Sequence, residues 1–367
     1  MDFLFFLLAL SVLVVVHEAG HFLAAKRVGV KVEEFGIGLP PKLWSKKIGE
    51  TVFSINALPI GGFVRLYGEE TSFLEGGRGL KKTIEKLRKR AFVYKKPRQK
   101  AMVVLGGVVM NLLLAVFIFA VVYGVLGIPK EGEKVTVLSV AKGSPAETAG
   151  IKEGEWLLAI GGKELKTSQE LIDEAEKFKG GKTLLLVANK KEGDVWEERE
   201  VEVEVRAEAP EGEGAMGVVI GTTELSFPPL WQRPFLGVWT GFKEAFFWGK
   251  VIFGGVWSMV RELGDGRLPK DVAGPVGMYR ASVDIAKTQG IWAVLHFFGV
   301  ISVNLAVVNF LPLPALDGGR LLFIIWEGIS RKRVSMKLEA IINNAGMIFL
   351  LFLLFLVTVG DVLRLIK

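Results

Sequence analysis

The stretch 3-FLFFLLALSVLVVVHEAGHFLAAKR-27 determines the fold class, because it combines an apolar helical pattern with three ionisable residues at its centre. At about 1.5 Å per residue, a helix of this length exceeds the ~30 Å thickness of a bilayer core. No basic residue precedes the apolar run and no clear small-x-small cleavage site follows it, which favours a retained helix over a signal peptide. Lys26, Arg27 and Lys31 follow immediately, so this end is predicted in the cytoplasm and the N-terminus outside.

Three further apolar runs, at Val103–Ile128, Phe297–Leu311 and Ile341–Val359, reach membrane-spanning length with their flanks. We therefore predict a polytopic α-helical membrane protein with about four transmembrane helices. The aromatic stretch Phe235–Val260 also contains Lys and Glu. As a fifth span it would place Asp317 on the opposite side of the membrane from His17, so we interpret it as an interfacial or re-entrant helix.

Charge is distributed unevenly along the chain. Residues 22–100 contain 18 Lys and Arg against 7 Asp and Glu, a net +11, whereas residues 130–224 contain 13 against 21, a net −8. The basic block adjoins apolar spans and has no nucleic-acid motif, so it indicates a cytoplasmic side in contact with the lipid bilayer and no nucleic-acid partner. The chain has no cysteine, which excludes disulfides and cysteine-ligated metals.

These patterns predict eight consecutive segments. They are a first transmembrane helix (1–27), a cytoplasmic-side β element and basic loop (28–100), a second transmembrane helix (101–128), a mainly β extracytoplasmic domain (129–209), a linker with an interfacial amphipathic helix (210–290), a third transmembrane helix (291–319), a cytoplasmic basic loop (320–340), and a fourth transmembrane helix with the C-terminus (341–367).

The sequence 17-HEAGH-21 matches the H-E-x-x-H pattern. Residues i and i+4 share one helix face, so the imidazoles of His17 and His21 can bind one ion. Catalytic zinc takes three protein ligands and a water, and Glu18 can accept the proton of that water. Ionisable residues inside an apolar helix are costly, each about 2.5–3.5 kcal/mol on insertion scales, which favours a functional role.

A third ligand is required, and the candidates are His296 and Asp317. His17 lies about 21 Å along the helix from Phe3, in the cytoplasmic half of the bilayer. The third span, followed inward from Ile291, reaches that depth at residues 305–317, whereas His296 stays near the outer face. Asp317 is therefore favoured over His296. Pro312 and Pro314 break the helix there, as a buried or water-lined site at membrane depth requires.

The pair formed by 17-HEAGH-21 and 309-NFLPLPALDG-318 resembles the site-2 protease family of intramembrane zinc metalloproteases, and most closely its bacterial regulator-of-sigma-E protease branch, called RseP. The motifs 61-GGFV-64 and 274-GPVG-277 extend the resemblance over nearly the whole chain. The resemblance implies a Zn²⁺-dependent endopeptidase of the bacterial inner (cytoplasmic) membrane. Its expected substrates are single-span membrane proteins, cut within or near the transmembrane segment in regulated intramembrane proteolysis.

Further site residues follow from the same resemblance. Asn309 is expected to hold the substrate backbone, although a helix-packing amide is the alternative reading. Phe63 and Val64 are expected in a membrane-associated β element that pairs with the extended substrate. Pairing is physically reasonable because a peptide bond in an intact helix is shielded by its own hydrogen bonds.

The soluble insert contains 143-GSPAETAGIKEGE-155, which resembles the PDZ pattern of secreted proteases with Glu155 in place of the usual Asp. A helix at Ser168–Phe178, preceded by a capping box of Thr167 and Glu170, would form one side of a peptide groove. Binding of a peptide ligand and exclusion of bulky substrates are both consistent with this pattern.

Three other functions compete with intramembrane proteolysis. A membrane-anchored zinc protease acting on soluble peptides is disfavoured by the placement of both metal motifs in spans. An inactive PDZ scaffold is disfavoured by the intact Glu18. A metal transporter would also carry polar residues within spans, but a helix-borne H-E-x-x-H with one further carboxylate favours a closed catalytic site.

Overall fold

The computed structural model describes residues 3–69, 89–190, 196–210, 214–265, 274–332 and 334–366. The chain divides into two compact units, a helical unit (Met1–Val125 with Trp231–Lys367) and a β unit (Leu126–Leu230). Most of the predicted basic segment before the second span, residues 70–88, lies outside the described residues, as does Arg333.

The elements are as follows. The helices are α1 (Phe3–Arg27), α2 (Pro97–Leu126), α3 (Pro145–Thr148), α4 (Ser168–Lys177), α5 (Arg233–Gly264), α6 (Pro275–Thr288), α7 (Gly290–Phe310), α8 (Asp317–Ser330) and α9 (Met336–Ile366). The strands are β1 (Val32–Ile48), β2 (Thr51–Leu66), β3 (Ile128–Val140), β4 (Trp156–Ile160), β5 (Lys163–Glu164), β6 (Lys182–Lys190), β7 (Trp196–Glu204) and β8 (Val218–Ser226).

Four helices in the described part of the chain are long and apolar enough to cross a membrane: α1, α2, α7 and residues Lys337–Asp361 of α9. Together with the antiparallel sheets, they confirm the predicted fold class of a polytopic membrane protein with a mainly β region. The outer faces of these helices are apolar, as lipid contact requires.

Helix α5 has 32 residues but is not one of the four candidate spans in the described part of the chain. It packs closely on α2, because a Cβ at Gly237 would lie 2.9 Å from the Ala120 carbonyl oxygen and one at Gly241 would lie 2.6 Å from that of Val116. Small residues at this spacing let two helix backbones approach, as in membrane bundles. Its interfacial or re-entrant placement stays a prediction.

The chain between α7 and α8 differs from the predicted third span (291–319) and basic loop (320–340). Helix α7 ends at Phe310, and a new helix of 14 residues begins at Asp317, within the predicted span, and continues to Ser330, within the predicted loop. Pro312 and Pro314 cannot continue α7 because proline lacks the N–H and clashes with the preceding turn. The apolar run 321-LLFIIW-326 then forms α8, which the flanking basic residues had obscured.

Strands β1 and β2 each fold back, so that four segments pair in one antiparallel sheet. Residues 42–48 pair with 51–56, residues 52–55 also pair with 34–37, and 34–37 pair on their other side with 62–65. Residues 62–66, named here the edge segment, therefore lie at one edge of the sheet among the described residues. This agrees with the predicted β element.

The β unit is an antiparallel sheet of order β7-β6-β4-β3-β8, with β5 paired to β4. It is longer than the predicted 129–209, because β8 pairs with β3 along Ile128–Val140. Leu157, Leu185 and Val203 are fully buried in its core. The predicted capping box of Thr167 and Glu170 is present at the start of α4.

Candidate metal centre and active site

The backbones of α1 and α2 touch in the middle of the H-E-x-x-H motif. A Cβ at Gly20 would lie 2.1 Å from the Gly106 carbonyl oxygen, and a Cβ at Gly106 would lie 2.5 Å from that of Gly20. No larger residue fits at either position without movement of one helix. This contact brings α2 against the same helical turn that carries His17 and His21.

Three ligand atoms converge at this contact. His17 Nε2 lies 3.0 Å from Asp317 Oδ2, and His21 Nε2 lies 3.1 Å from Asp317 Oδ2 and 3.1 Å from His17 Nε2. This near-equilateral triangle is the candidate metal group among the described residues. Ligands at Zn–N and Zn–O distances of about 2.0–2.1 Å in a tetrahedron stand roughly 3.3 Å apart, so the group fits zinc with little change.

Helix α2 closes one side of the group without occupying it. A Cβ at Gly107 would lie 2.5 Å from His21 Nε2 and 2.6 Å from His17 Nε2, so only glycine leaves the ligand nitrogens free. The opposite ring nitrogens are also engaged: His21 Nδ1 is 2.8 Å from the Val103 carbonyl oxygen, and His17 Nδ1 is 3.2 Å from Asn111 Nδ2.

Asp317 reaches the group because the chain turns tightly between α7 and α8. A Cβ at Gly318 would lie 2.0 Å from the Leu311 carbonyl oxygen, and one at Gly319 would lie 2.3 Å from that of Leu313. Ala315 has φ 71°, an unusual left-handed conformation for a residue with a side chain. This tight turn positions Asp317, the first residue of α8, so that its carboxylate reaches the two histidines.

A cavity of about 570 Å³ contains the group and extends along the edge segment. At Gly62 the edge segment packs on α1, since a Cβ there would lie 3.3 Å from Val15 Cγ2 and 3.8 Å from Glu18 Cγ. The cavity is lined by residues from α1, α2, the sheet and the α7–α8 turn: Val14, His17, Glu18, His21, Phe63, Val64, Arg65, Leu66, Glu69, Phe92, Val103, Val104, Asn111, Leu305, Asn309, Ala315, Leu316, Asp317 and Arg320.

All seven predicted site residues line this one cavity: His17, Glu18, His21, Phe63, Val64, Asn309 and Asp317. His296, the rejected ligand, lies elsewhere, with its Nε2 3.2 Å from Glu244 Oε1 and 3.3 Å from the Tyr123 hydroxyl. Among the described residues, Asp317 therefore belongs to the candidate metal group and His296 does not.

Several residues that line the cavity were not predicted from the sequence. Asn111 is a polar residue within the apolar run of α2, and its spacing of four from Gly107 and Val103 is a signal that could have found it. Arg320 follows Asp317 by about one turn and donates to Glu69, three residues beyond the edge segment. Glu69 is distant in sequence, so no local pattern indicates that contact.

Comparison with known proteins agrees with this geometry. The chain matches peptidase family M50 over residues 5–353. It is 34% identical to a protein of Clostridium perfringens named as a zinc metalloprotease, with 99% of both chains covered. It is 28% identical to the zinc metalloprotease RasP of Geobacillus kaustophilus, covering 97% of this chain and 96% of that one. The chain belongs to peptidase family M50, the site-2 protease family, and is a membrane protein and a zinc metalloprotease, an enzyme that hydrolyses peptide bonds.

Proposed function

We propose that this protein is an intramembrane endopeptidase, which hydrolyses a peptide bond within or near the transmembrane segment of single-span membrane proteins. The observation that supports this most strongly is one cavity that joins the candidate metal group to an edge of a β-sheet. Two of the group's members, His17 and His21, lie within α1, a candidate membrane span, about 21 and 27 Å along the helix from Phe3.

His17, His21 and Asp317 are the proposed ligands, and Glu18 is the proposed general base. Zinc held there supplies a Lewis acid that activates water and polarises a carbonyl. The Glu18 carboxylate accepts the proton of the attacking water and can return it to the leaving amine. Glu18 is suited to both steps because it lines the cavity beside the edge segment, where the substrate carbonyl would lie.

The edge segment, including Phe63 and Val64, is the proposed site where the substrate adds as a further strand. Residues 62–66 pair with β1 on one side only among the described residues, so their other side can receive an extended chain. Strand addition satisfies the backbone groups that the substrate loses when its helix unwinds. Asn309 lies at the end of α7 on the cavity wall. We propose that its side-chain amide forms hydrogen bonds with the backbone of the extended substrate.

Replacing the general base tests the chemistry. Glu18→Gln should retain zinc and lose cleavage by at least ~100-fold, because an amide cannot accept the proton of water. Asp317→Ala should lose zinc, whereas His296→Ala, a matched change outside the group, should keep it. Zinc content and cleavage of a single-span substrate in detergent are measured. Wild-type cleavage by Glu18→Gln, or zinc lost only in His296→Ala, would contradict the assignment.

Proline in the edge segment tests strand addition. Val64→Pro removes a backbone donor and restricts φ, so cleavage should fall while zinc content stays unchanged. The loss should be largest for substrates with stable helices and smaller for those carrying Gly or Pro near the scissile bond. Arg65→Pro covers the alternate register. Equal losses for both substrates in both variants, with fold and zinc intact, would argue against strand pairing.

We further propose that the β unit is a PDZ domain outside the cytoplasm and that residues 89–100 face the cytoplasm. The charge difference between the two regions supports this orientation. Buried Glu155, which occupies the usual Asp position, is held by Arg199 Nη2 at 3.0 Å. An impermeant thiol reagent on intact cells should label Lys182→Cys and spare Lys96→Cys; the reverse pattern would invert the orientation.

Within the family, we propose the regulator-of-sigma-E protease branch, with anti-sigma factors or remnant signal peptides as substrates. The motif 61-GGFV-64, which runs into the edge segment, and one PDZ-like insert support it. The competing function is cleavage of soluble peptides. Presenting one scissile sequence both as a soluble peptide and within a membrane span decides between them, and faster cleavage of the soluble form would overturn the intramembrane proposal.

A further inference from the structure

One face of α2 contacts both histidines of the candidate metal group. Val103, Gly107 and Asn111 recur every four residues, so they lie on the same face of the helix. Gly107 provides the space for the ligand nitrogens, and the other two residues contact the ring nitrogens that point away from them. α2 contributes no proposed ligand, yet it covers one side of the group.

The hydrogen bond between His21 Nδ1 and the Val103 carbonyl oxygen can have only one direction. The Val103 carbonyl oxygen can only accept, so His21 Nδ1 must donate across the 2.8 Å distance. The proton on Nδ1 leaves the lone pair on Nε2, the atom that faces Asp317 and His17. A backbone carbonyl therefore sets the tautomer and the ring orientation of His21.

The contact at His17 depends on a side chain. Asn111 is fully buried, and its amide lies 3.2 Å from His17 Nδ1 through Nδ2, while Oδ1 has no partner. The backbone carbonyl of Asn111 accepts from the buried Ser302 hydroxyl at 2.8 Å, which ties this position to α7. The amide therefore lies beside the ring. Rotation of the amide group by about 180° would place Oδ1 instead of Nδ2 next to His17 Nδ1.

We propose that Asn111 is a positioning residue, which turns its amide oxygen to His17 Nδ1–H and thereby holds His17 Nε2 toward the metal. When Nε2 is the ligand atom, the proton resides on Nδ1 and must be donated, so an amide NH₂ facing it would be repelled. This inference rests on the proposed role of His17 as a ligand. Partners of this kind orient metal-bound histidines and commonly change metal affinity 10–100-fold.

Two substitutions separate this role from mere filling of space. Leu has the same number and branching of side-chain heavy atoms as Asn and is tolerated in an apolar helix, whereas Asp adds a charge that is costly within a span. A space-filling role therefore predicts that Asn111→Leu is harmless and Asn111→Asp harmful for metal binding. The positioning role predicts the reverse order, because the carboxylate of Asp accepts the Nδ1–H hydrogen bond and Leu cannot.

The experiment measures Zn²⁺ affinity of the full chain in detergent by competition with a chelator, with thermal unfolding as the check on folding. Asn111→Leu and Asn111→Ala should weaken zinc binding ~10–100-fold, and Asn111→Asp should stay within a few-fold of the native chain. Native affinity in folded Asn111→Leu, or equal losses in Leu and Asp, would overturn the inference. His17→Ala is the reference: if it retains zinc, the ligand assignment fails instead.

A second readout does not depend on the Asp variant folding. The chain has three histidines, so ¹⁵N-histidine spectra of the zinc-loaded protein resolve each ring. Asn111→Leu should shift the His17 Nδ1–H signal and speed its exchange with water, while the His21 signal, bonded to the Val103 carbonyl, stays in place. An unchanged His17 signal in Asn111→Leu would overturn the proposal.

Discussion

The contacts that stabilise the β unit internally differ in kind from those that stabilise the helical unit internally. The β unit has an apolar core in which side chains such as Leu157 and Leu185 are fully removed from solvent. The helical unit carries many of its large apolar side chains outward, and α9 leaves its central residues exposed along nearly the whole span. Its closest contacts instead involve glycines and polar atoms, as at Gly20 with Gly106 and at Asn111 with His17.

The difference follows from the surrounding solvent. In water, burial of apolar surface contributes about 25 cal/mol per Å², so apolar side chains specify the core. In lipid, moving an apolar side chain from the hydrocarbon into the protein interior contributes little free energy, because both surroundings are apolar. Close backbone approach and hydrogen bonds therefore specify which helices meet. In the helical unit, a single added methyl group at a contact should therefore matter more than the loss of a whole leucine from an outer face.

The largest effect is expected for Gly107→Ala. The new methyl group would lie 2.5 Å from His21 Nε2 and 2.6 Å from His17 Nε2, in the space that the ligand nitrogens face. Zinc affinity should fall at least ~100-fold, since the rings must move to relieve the overlap. Zinc content after dialysis against a chelator measures it.

Gly124→Ala is the matched control for this change. Gly124 lies in the same helix, and a Cβ there meets nothing within 4 Å. Zinc affinity and cleavage should both match the native chain. Equal losses in the two variants would show that α2 fails as a helix and that the close contact at Gly107 is not the cause.

An intermediate effect is expected for Leu157→Ala in the β unit. Leu157 is fully buried, and such truncations cost about 2–5 kcal/mol because a cavity remains. Hydrogen exchange of peptides from β4 and β6 should accelerate accordingly, while zinc affinity stays native because no ligand is contacted. A parallel loss of zinc would contradict the separation of the two kinds of contact.

The smallest effect is expected for Leu351→Ala, the same chemical change on α9. Leu351 is 59% exposed on a candidate span, so lipid surrounds it and its truncation should alter stability by no more than about 0.5 kcal/mol. Thermal unfolding in lipid nanodiscs measures the change. A loss as large as that of Leu157→Ala would indicate a partner packed on this face of α9.

Local patterns were sufficient for much of the architecture. The bounds of α1 agree with the predicted helix, because an apolar run that ends in basic residues has only one stable form in a bilayer. Strand β4 and the cap of α4 were also predictable from short patterns. The break before Asp317 was indicated by its prolines, but the helix that follows was not, because basic residues on both sides suggested a loop.

The sequence by itself determined the metal chemistry, because H-E-x-x-H places two imidazoles on one helix face whatever surrounds them. It also favoured Asp317 over His296 through depth in the bilayer. Only the tertiary structure decided what surrounds those ligands: the glycine contact of α1 with α2, the amide of Asn111 and the edge segment beside Glu18. These contacts join residues about 45 to 95 positions apart, and their distances depend on how the helices and the sheet pack, which no local period encodes.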